Sequence, residues 1–200
     1  MRSYVKSCLV LILICCTMTL SAQKLKTYKG KMPSIKDSKS MLVAFDYSDM
    51  SVGKFDKEDD YLDKKVAEKN EKEAGSGDKW KEVWVADRDA RFEVKFLELL
   101  NKYVADIGVI ASETAEDAKY KMLVKTTHTE PGFNVGVARK SAHVNFEIWM
   151  YEMGSDKPIA KAKLEKVQGG GAMGFDFDVA YRLQESYAKA GKVLGKKFSK

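Results

Sequence analysis

The sequence predicts an α+β domain: an antiparallel or mixed sheet of about four to five strands with helices packed mainly on one face. Three observations predict it. Residues 120–165 alternate apolar and polar with period two. The segments on either side carry apolar residues at helical intervals. The first 22 residues stand apart as a basic start followed by an apolar run.

That first segment reads as a secretory signal peptide over 1–22. Arg2 and Lys6 precede an apolar run from Cys8 to Leu20, and the small residues Ser21 and Ala22 follow. A run of 13 residues falls short of the ~20 needed to span a bilayer. Cleavage is expected after Ala22, or after Ser21. Ile14 before Cys15 does not fit the small residue that precedes a lipidated cysteine. Cys8, Cys15 and Cys16 are all three cysteines of the chain, so the processed protein has none. That removes disulfides, thiolate nucleophiles and cysteine-held metals or clusters. The remaining 178 residues suffice for one core, and their net charge falls from +6 to +4. This mild charge, without a long basic run, argues against nucleic acid as a partner.

Residues 23–40 are polar and basic and read as a flexible lead-in to a single domain over 41–200. MLVAFDY (41–47) predicts a buried strand. Lys54 to Ala74 holds 14 charged residues of 21, with Phe55, Tyr61, Leu62 and Val66 at helical spacing, which predicts an exposed helix with a narrow buried stripe. Its acids, Asp56, Glu58, Asp59, Asp60 and Asp63, lack the alternating ligands and central glycine of a calcium loop. GSGD (75–78) ends that helix, and Asp78 is placed to cap the next. Trp80 and Trp84 lie four apart and share a face. The stripe continues through Phe92, Phe96, Leu99, Leu100 and Tyr103, with a kink or a fresh cap expected at Asp87–Asp89. IGVIA (107–111) predicts a short strand.

In 120–165 the even positions Tyr120, Met122, Val124, Phe146, Ile148, Ala162 and Leu164 form the covered face. The odd positions Lys121, Lys125, Asn145, Glu147, Lys161 and Lys163 form the open one. GSDKP (154–158) is a hairpin turn. The last helix begins after Asp176 or Asp178 and carries Ala180, Leu183, Tyr187, Ala190, Leu194 and Phe198 as its stripe.

Candidate chemistry is sparse. GGGAMG (169–174) has dinucleotide-loop spacing, but no strand follows to complete a βαβ unit, and Asp176 and Asp178 would repel a phosphate. No nucleotide and no cofactor is therefore expected. A hairpin about 130–140 sets His128 near Ala142 and His143 near Thr127. Their opposite parity points them to opposite faces, against a shared metal. No G-x-S-x-G string supports a serine nucleophile. The loop EPGFNVGVARKS (130–141) is long for a hairpin. It places Phe133, Val135 and Val137 beside Arg139 and Lys140, a contact surface for a protein partner or an anionic membrane surface. A second surface for a small molecule or glycan is offered by Trp80 and Trp84, or by Asn145, Glu147, Trp149 and Tyr151 on the open sheet face.

The export segment ending LSAQ is similar to those of Bacteroidota envelope proteins. The order of apolar strand, helical region, short strand, three-strand meander, glycine loop and terminal helix resembles the small α+β domain of curli-secretion CsgG and the TolB amino-terminal domain, chiefly over Asp106 to Ala180. The resemblance implies a non-enzymatic envelope protein, periplasmic, secreted or outer-membrane associated, that binds partners or assembles. It transfers no catalytic residue. The expected function is thus an exported binding or assembly module. A secreted binder of a small molecule or glycan is the alternative, and a hydrolase ranks third.

Overall fold

Alternation of apolar and polar residues becomes the sheet at the centre of a computed structural model, which describes residues 23–134, 138–169 and 178–200. The strands are β1 (Lys26–Gly30), β2 (Ser40–Asp46), β3 (Ser51–Val52), β4 (Ile110–Ser112), β5 (Tyr120–Glu130), β6 (Phe133–Asn134), β7 (Arg139–Lys140), β8 (His143–Glu152) and β9 (Ala160–Gln168). Seven of them form one sheet in the order β1-β9-β8-β5-β2-β4, with β3 also paired to β5. β6 and β7 form a separate two-stranded ribbon. The sheet is mixed: β5, β8, β9 and β1 run antiparallel, while β2 lies parallel to both β5 and β4.

Seven strands exceed the four to five expected, and the reason is physical. β1 is an edge strand with every residue exposed, so KTYKG carries no apolar alternation. The polar stretch 23–40, expected as a flexible lead-in, pairs along β9 and buries Met32 and Ile35 in the core. β3 is two residues long, too short for a periodic signal.

Helix α1 (Glu58–Asn70) is followed by α2 (Ser76–Asp87), a π turn (Arg88–Phe92) and α3 (Glu93–Val104). Where a kink or a fresh cap is expected, at Asp87–Asp89, the chain enters this π turn. Gly75, with φ of +79°, stands at the start of α2 where Asp78 was expected to cap; Asp78 instead accepts from Asn70 Nδ2 at 3.0 Å. The terminal helix α4 (Val179–Phe198) starts at Asp178, whose Oδ1 accepts from the Ala180 amide at 2.9 Å.

α3 and α4 cover the even face of the sheet. Met122, Val124, Phe146, Ile148 and Leu164 from the strands meet Phe96, Leu100, Leu183, Tyr187 and Leu194, all at or near zero exposure. Tyr187 stacks on Phe92 at 5.0 Å and meets Phe146 edge-on at 4.9 Å. Its hydroxyl is satisfied in the core by Thr126 Oγ1 at 2.8 Å. Asn101 of α3 bonds both the amide and the carbonyl of Ala111 at 2.8 Å and ties the short edge strand β4 to the helix layer. Among the described residues no helix is long and apolar enough to cross a membrane.

Two bulges decide what the open face presents. In β5 the register slips between Thr126 and His128, and burial switches from even to odd positions, so Thr126 and Thr129 are both buried. In β9 the slip lies opposite Asn145, where Lys166 takes φ of +51°. The Asn145 side chain closes that bulge by accepting from the Lys166 amide at 2.6 Å.

Candidate functional site

Three surfaces carry the polar and aromatic residues singled out in the sequence. The first is the ribbon β6–β7, which continues the β5–β8 hairpin. Gly132, at φ of +67°, turns the chain out of β5; a Cβ there would lie 2.4 Å from the Lys140 carbonyl oxygen. Glu130 holds the base of the ribbon by accepting from the Gly132 amide at 3.0 Å and from Lys140 Nζ. The buried Arg182 of α4 donates to the Pro131 carbonyl at 3.2 Å from behind. On this anchored base Phe133 is 46% exposed, and Arg139 and Lys140 are exposed beside it. Val135 and Val137 lie outside the described residues.

The second surface is the open sheet face. Glu147 accepts from Trp149 Nε1 at 2.9 Å and from the Tyr28 hydroxyl at 3.2 Å, and pairs with Lys163 at 3.2 Å. Burial opposes ionisation, but the bonds from Trp149 and Lys163 prevail and hold its carboxyl below the usual range. Lys161 Nζ sits 3.2 Å from the centre of the Trp149 ring. The face grouped as Asn145, Glu147, Trp149 and Tyr151 therefore spends Asn145 on a bulge and Glu147 and Trp149 on an internal ladder. Trp80 and Trp84 share one face of α2 as expected, but in an aromatic cluster. Their rings lie 5.5 Å apart, and Tyr61 is 5.3 Å from Trp84 and 6.0 Å from Trp80. Trp84 is buried, and both indoles line a cleft of about 340 Å³ with Val83 and Val179.

The third surface is a cleft of about 830 Å³ where β2 ends. Phe45 to Met50, Asp56 to Asp59 and Arg88 line it. Lys125 fixes one wall by pairing with Asp49 at 2.7 Å and Asp46 at 3.3 Å. Glu58, in the first turn of α1, pairs with Arg88 of the π turn at 2.5 Å and accepts from Trp84 Nε1 at 2.6 Å. Arg88 lies over the Tyr47 ring at 4.5 Å, and the Tyr47 hydroxyl reaches Glu93 at 3.0 Å. Of these residues, sequence reasoning weighed the acids only as a calcium loop and passed over Tyr47, Arg88 and Glu93. The one local signal was the break at Asp87–Asp89, which is where the π turn re-aims Arg88.

Burial pushes the Glu93 carboxyl up from 4.5 to about 7; the Tyr47 hydroxyl opposes this, while Glu113 and Asp89 add to it. The folded state therefore binds this proton more tightly than the unfolded state. Its stabilising contribution is complete below about 4.5 and is lost as pH rises through about 7. Glu93→Gln is expected to flatten the decline of stability across that window. Urea unfolding at pH 5 and pH 8 checks it: the variant should gain on the parent at pH 8, and an equal difference at both pH values would refute the assignment.

The glycine string has one described member. Gly169 is buried, donates its amide to Ala142 at 2.9 Å and accepts from Lys189 Nζ at 3.1 Å. Residues 170–174 lie outside the described part. His128 and His143, expected on opposite faces, are on the same one: the β5 bulge shifts the parity of His128, and the ring centres are 5.7 Å apart.

No family model matches the chain, and comparison with curated proteins finds no match. Among solved structures the chain is similar to the PelC dodecamer from Paraburkholderia phytofirmans, at 12% identity and TM-score 0.43, over 86% of this chain and 98% of that one. It is also similar to a single-substitution variant of the same dodecamer, at 11% identity and TM-score 0.40, over 86% and 96% of the two chains.

Proposed function

We propose that this chain is an exported, non-enzymatic protein of the cell envelope that acts by binding a protein partner through the ribbon β6–β7. The observation that carries the reading is Phe133: a large apolar side chain, 46% exposed, on a ribbon whose base is anchored from two sides. Phe133 offers an apolar contact on an anchored ribbon, and a pre-anchored contact lowers the ordering cost of binding. Arg139 and Lys140 are exposed beside it, and the Lys140 ammonium already meets Glu130 at the base. The export segment and the resemblance to CsgG and TolB-type domains support the same reading.

The test is recovery of partners from envelope extract by the processed protein and its Phe133→Asp variant. Recovery should fall with the substitution while the melting temperature stays within a few degrees, since the residue contributes little to the core. A melting temperature that collapses while recovery survives would make Phe133 a packing residue and sink the proposal.

A second reading rests on the cleft at the end of β2. Its five carboxylates face Lys57, Arg88 and the Lys125 that pairs with Asp46 and Asp49, an acidic excess that suits a small cationic or polyhydroxyl ligand. Ligand-detected NMR with amines and sugars, repeated with Asp49→Ala, separates this reading from the first.

A further inference from the structure

We propose that His128 and His143 form a two-histidine site for a late first-row divalent ion (Cu²⁺, Ni²⁺ or Zn²⁺) on the open sheet face at the base of the ribbon. The sequence alone argued against it, because strict alternation separates the two residues. The β5 bulge between Thr126 and His128 undoes that separation and sets His128 diagonal to His143, across the β5–β8 pairing of His128 with Asn145 and Glu130 with His143. The ring centres are 5.7 Å apart and the planes tilt by 40°. Two imidazoles sharing one ion with metal–nitrogen bonds of ~2.0–2.1 Å bring their ring centres to roughly 5–6 Å.

The contacts of His128 suit Nε2 as the ligating nitrogen. Ser51 Oγ lies 3.2 Å from the Thr127 carbonyl oxygen and 2.8 Å from His128 Nδ1. With the serine proton given to Thr127, the serine lone pair faces Nδ1, which in that tautomer carries the ring proton and leaves Nε2 its free pair. An N–H anchored on one side with the opposite nitrogen open is how proteins orient imidazole ligands.

Among the described residues no group of three or more His, Cys, Asp or Glu side chains converges to hold a metal. The site is thus bidentate, and water or an outside ligand fills the remaining positions. Such a site is modest in affinity and exchangeable. This inference is independent of the partner-binding reading.

The chain has only two histidines, which makes the test clean. The tagless processed protein should bind one Cu²⁺ by calorimetry at pH 7.5 and be retained on a Cu²⁺-chelate resin. Retention should be lost in His128→Gln and in His143→Gln. Ser51→Ala should weaken binding by about 10-fold, at the low end of the range for removing a group that orients a ligand. In the unmodified protein, substoichiometric Cu²⁺ should broaden the imidazole NMR signals of both histidines together, a readout that needs no variant to fold. Binding that persists in the double variant, or broadening of one imidazole without the other, overturns the proposal.

Discussion

Gly191→Ala is expected to destabilise the protein by about 1–3 kcal/mol, the usual cost of overpacking a filled core. The sign is informative because alanine in an ordinary helix interior gains ~0.5–1 kcal/mol over glycine. In α4 that gain is overridden. A Cβ on Gly191 would stand 2.1 Å from the Phe96 carbonyl oxygen and 3.2 Å from the Leu100 amide nitrogen, both backbone atoms of α3. A side chain could rotate away from such a clash; a helix backbone can yield only by moving the whole of α3. Gly195, one turn on, has its Cβ position 2.8 Å from the Leu100 carbonyl oxygen, so the two glycines form the groove in which α3 lies. Urea unfolding measures the effect, with the exposed neighbour Lys192→Ala expected to stay within about 0.5 kcal/mol of the parent. A neutral or stabilising Gly191→Ala would mean that the helices are not packed this closely.

Glu58→Ala should cost about 3–5 kcal/mol, as for breaking one half of a buried ion pair. The Glu58 and Arg88 side chains are 13% and 17% exposed, and the same carboxylate serves the Trp84 indole. Its removal takes the acceptor from a largely buried guanidinium and from an indole N–H together. The prediction is sharpened by adding Arg88→Met. The double variant should lose less than the sum of the two single changes by roughly 0.5–3 kcal/mol, because the second change removes the charge that the first exposed. Additive losses would show that the pair is not coupled. The outcome bears on function as well as stability, since this pair joins α1 to the π turn and forms the floor of the cleft at Tyr47.

How far the sequence was legible follows from which residues carry a periodic signal. The alternation of Met122, Val124, Phe146, Ile148 and Leu164 gave the covered face, and the stripe from Leu183 to Phe198 gave the helix upon it, because burial on one side imposes a period. β1 imposes none, since both of its faces are exposed, and so it read as a lead-in. Bulges are invisible to parity. One inserted residue in β5 moved His128 to the face of His143, and one in β9 turned Asn145 from a candidate ligand contact into the clasp of a backbone turn. The cleft was illegible for another reason. Its lining comes from 45–50, 56–59 and 88, segments joined only by tertiary packing. The ribbon was half legible: the turn at Glu130-Pro131-Gly132 and the apolar residue beyond it were in the sequence, whereas its anchorage by Arg182 came from a helix 51 residues away.

The most direct measurement of the partner-binding claim is a photo-crosslinking amino acid placed at Phe133, on the ribbon, and separately at Met153. Met153 is 41% exposed and lies at the opposite end of β8, so it is similarly apolar and accessible but remote from the ribbon. After irradiation in envelope extract, the probe at 133 should give a discrete adduct that is suppressed by excess unlabelled protein but not by excess Phe133→Asp variant, while the probe at 153 gives none. Equal adducts from both positions, or no adduct from 133, would contradict the account.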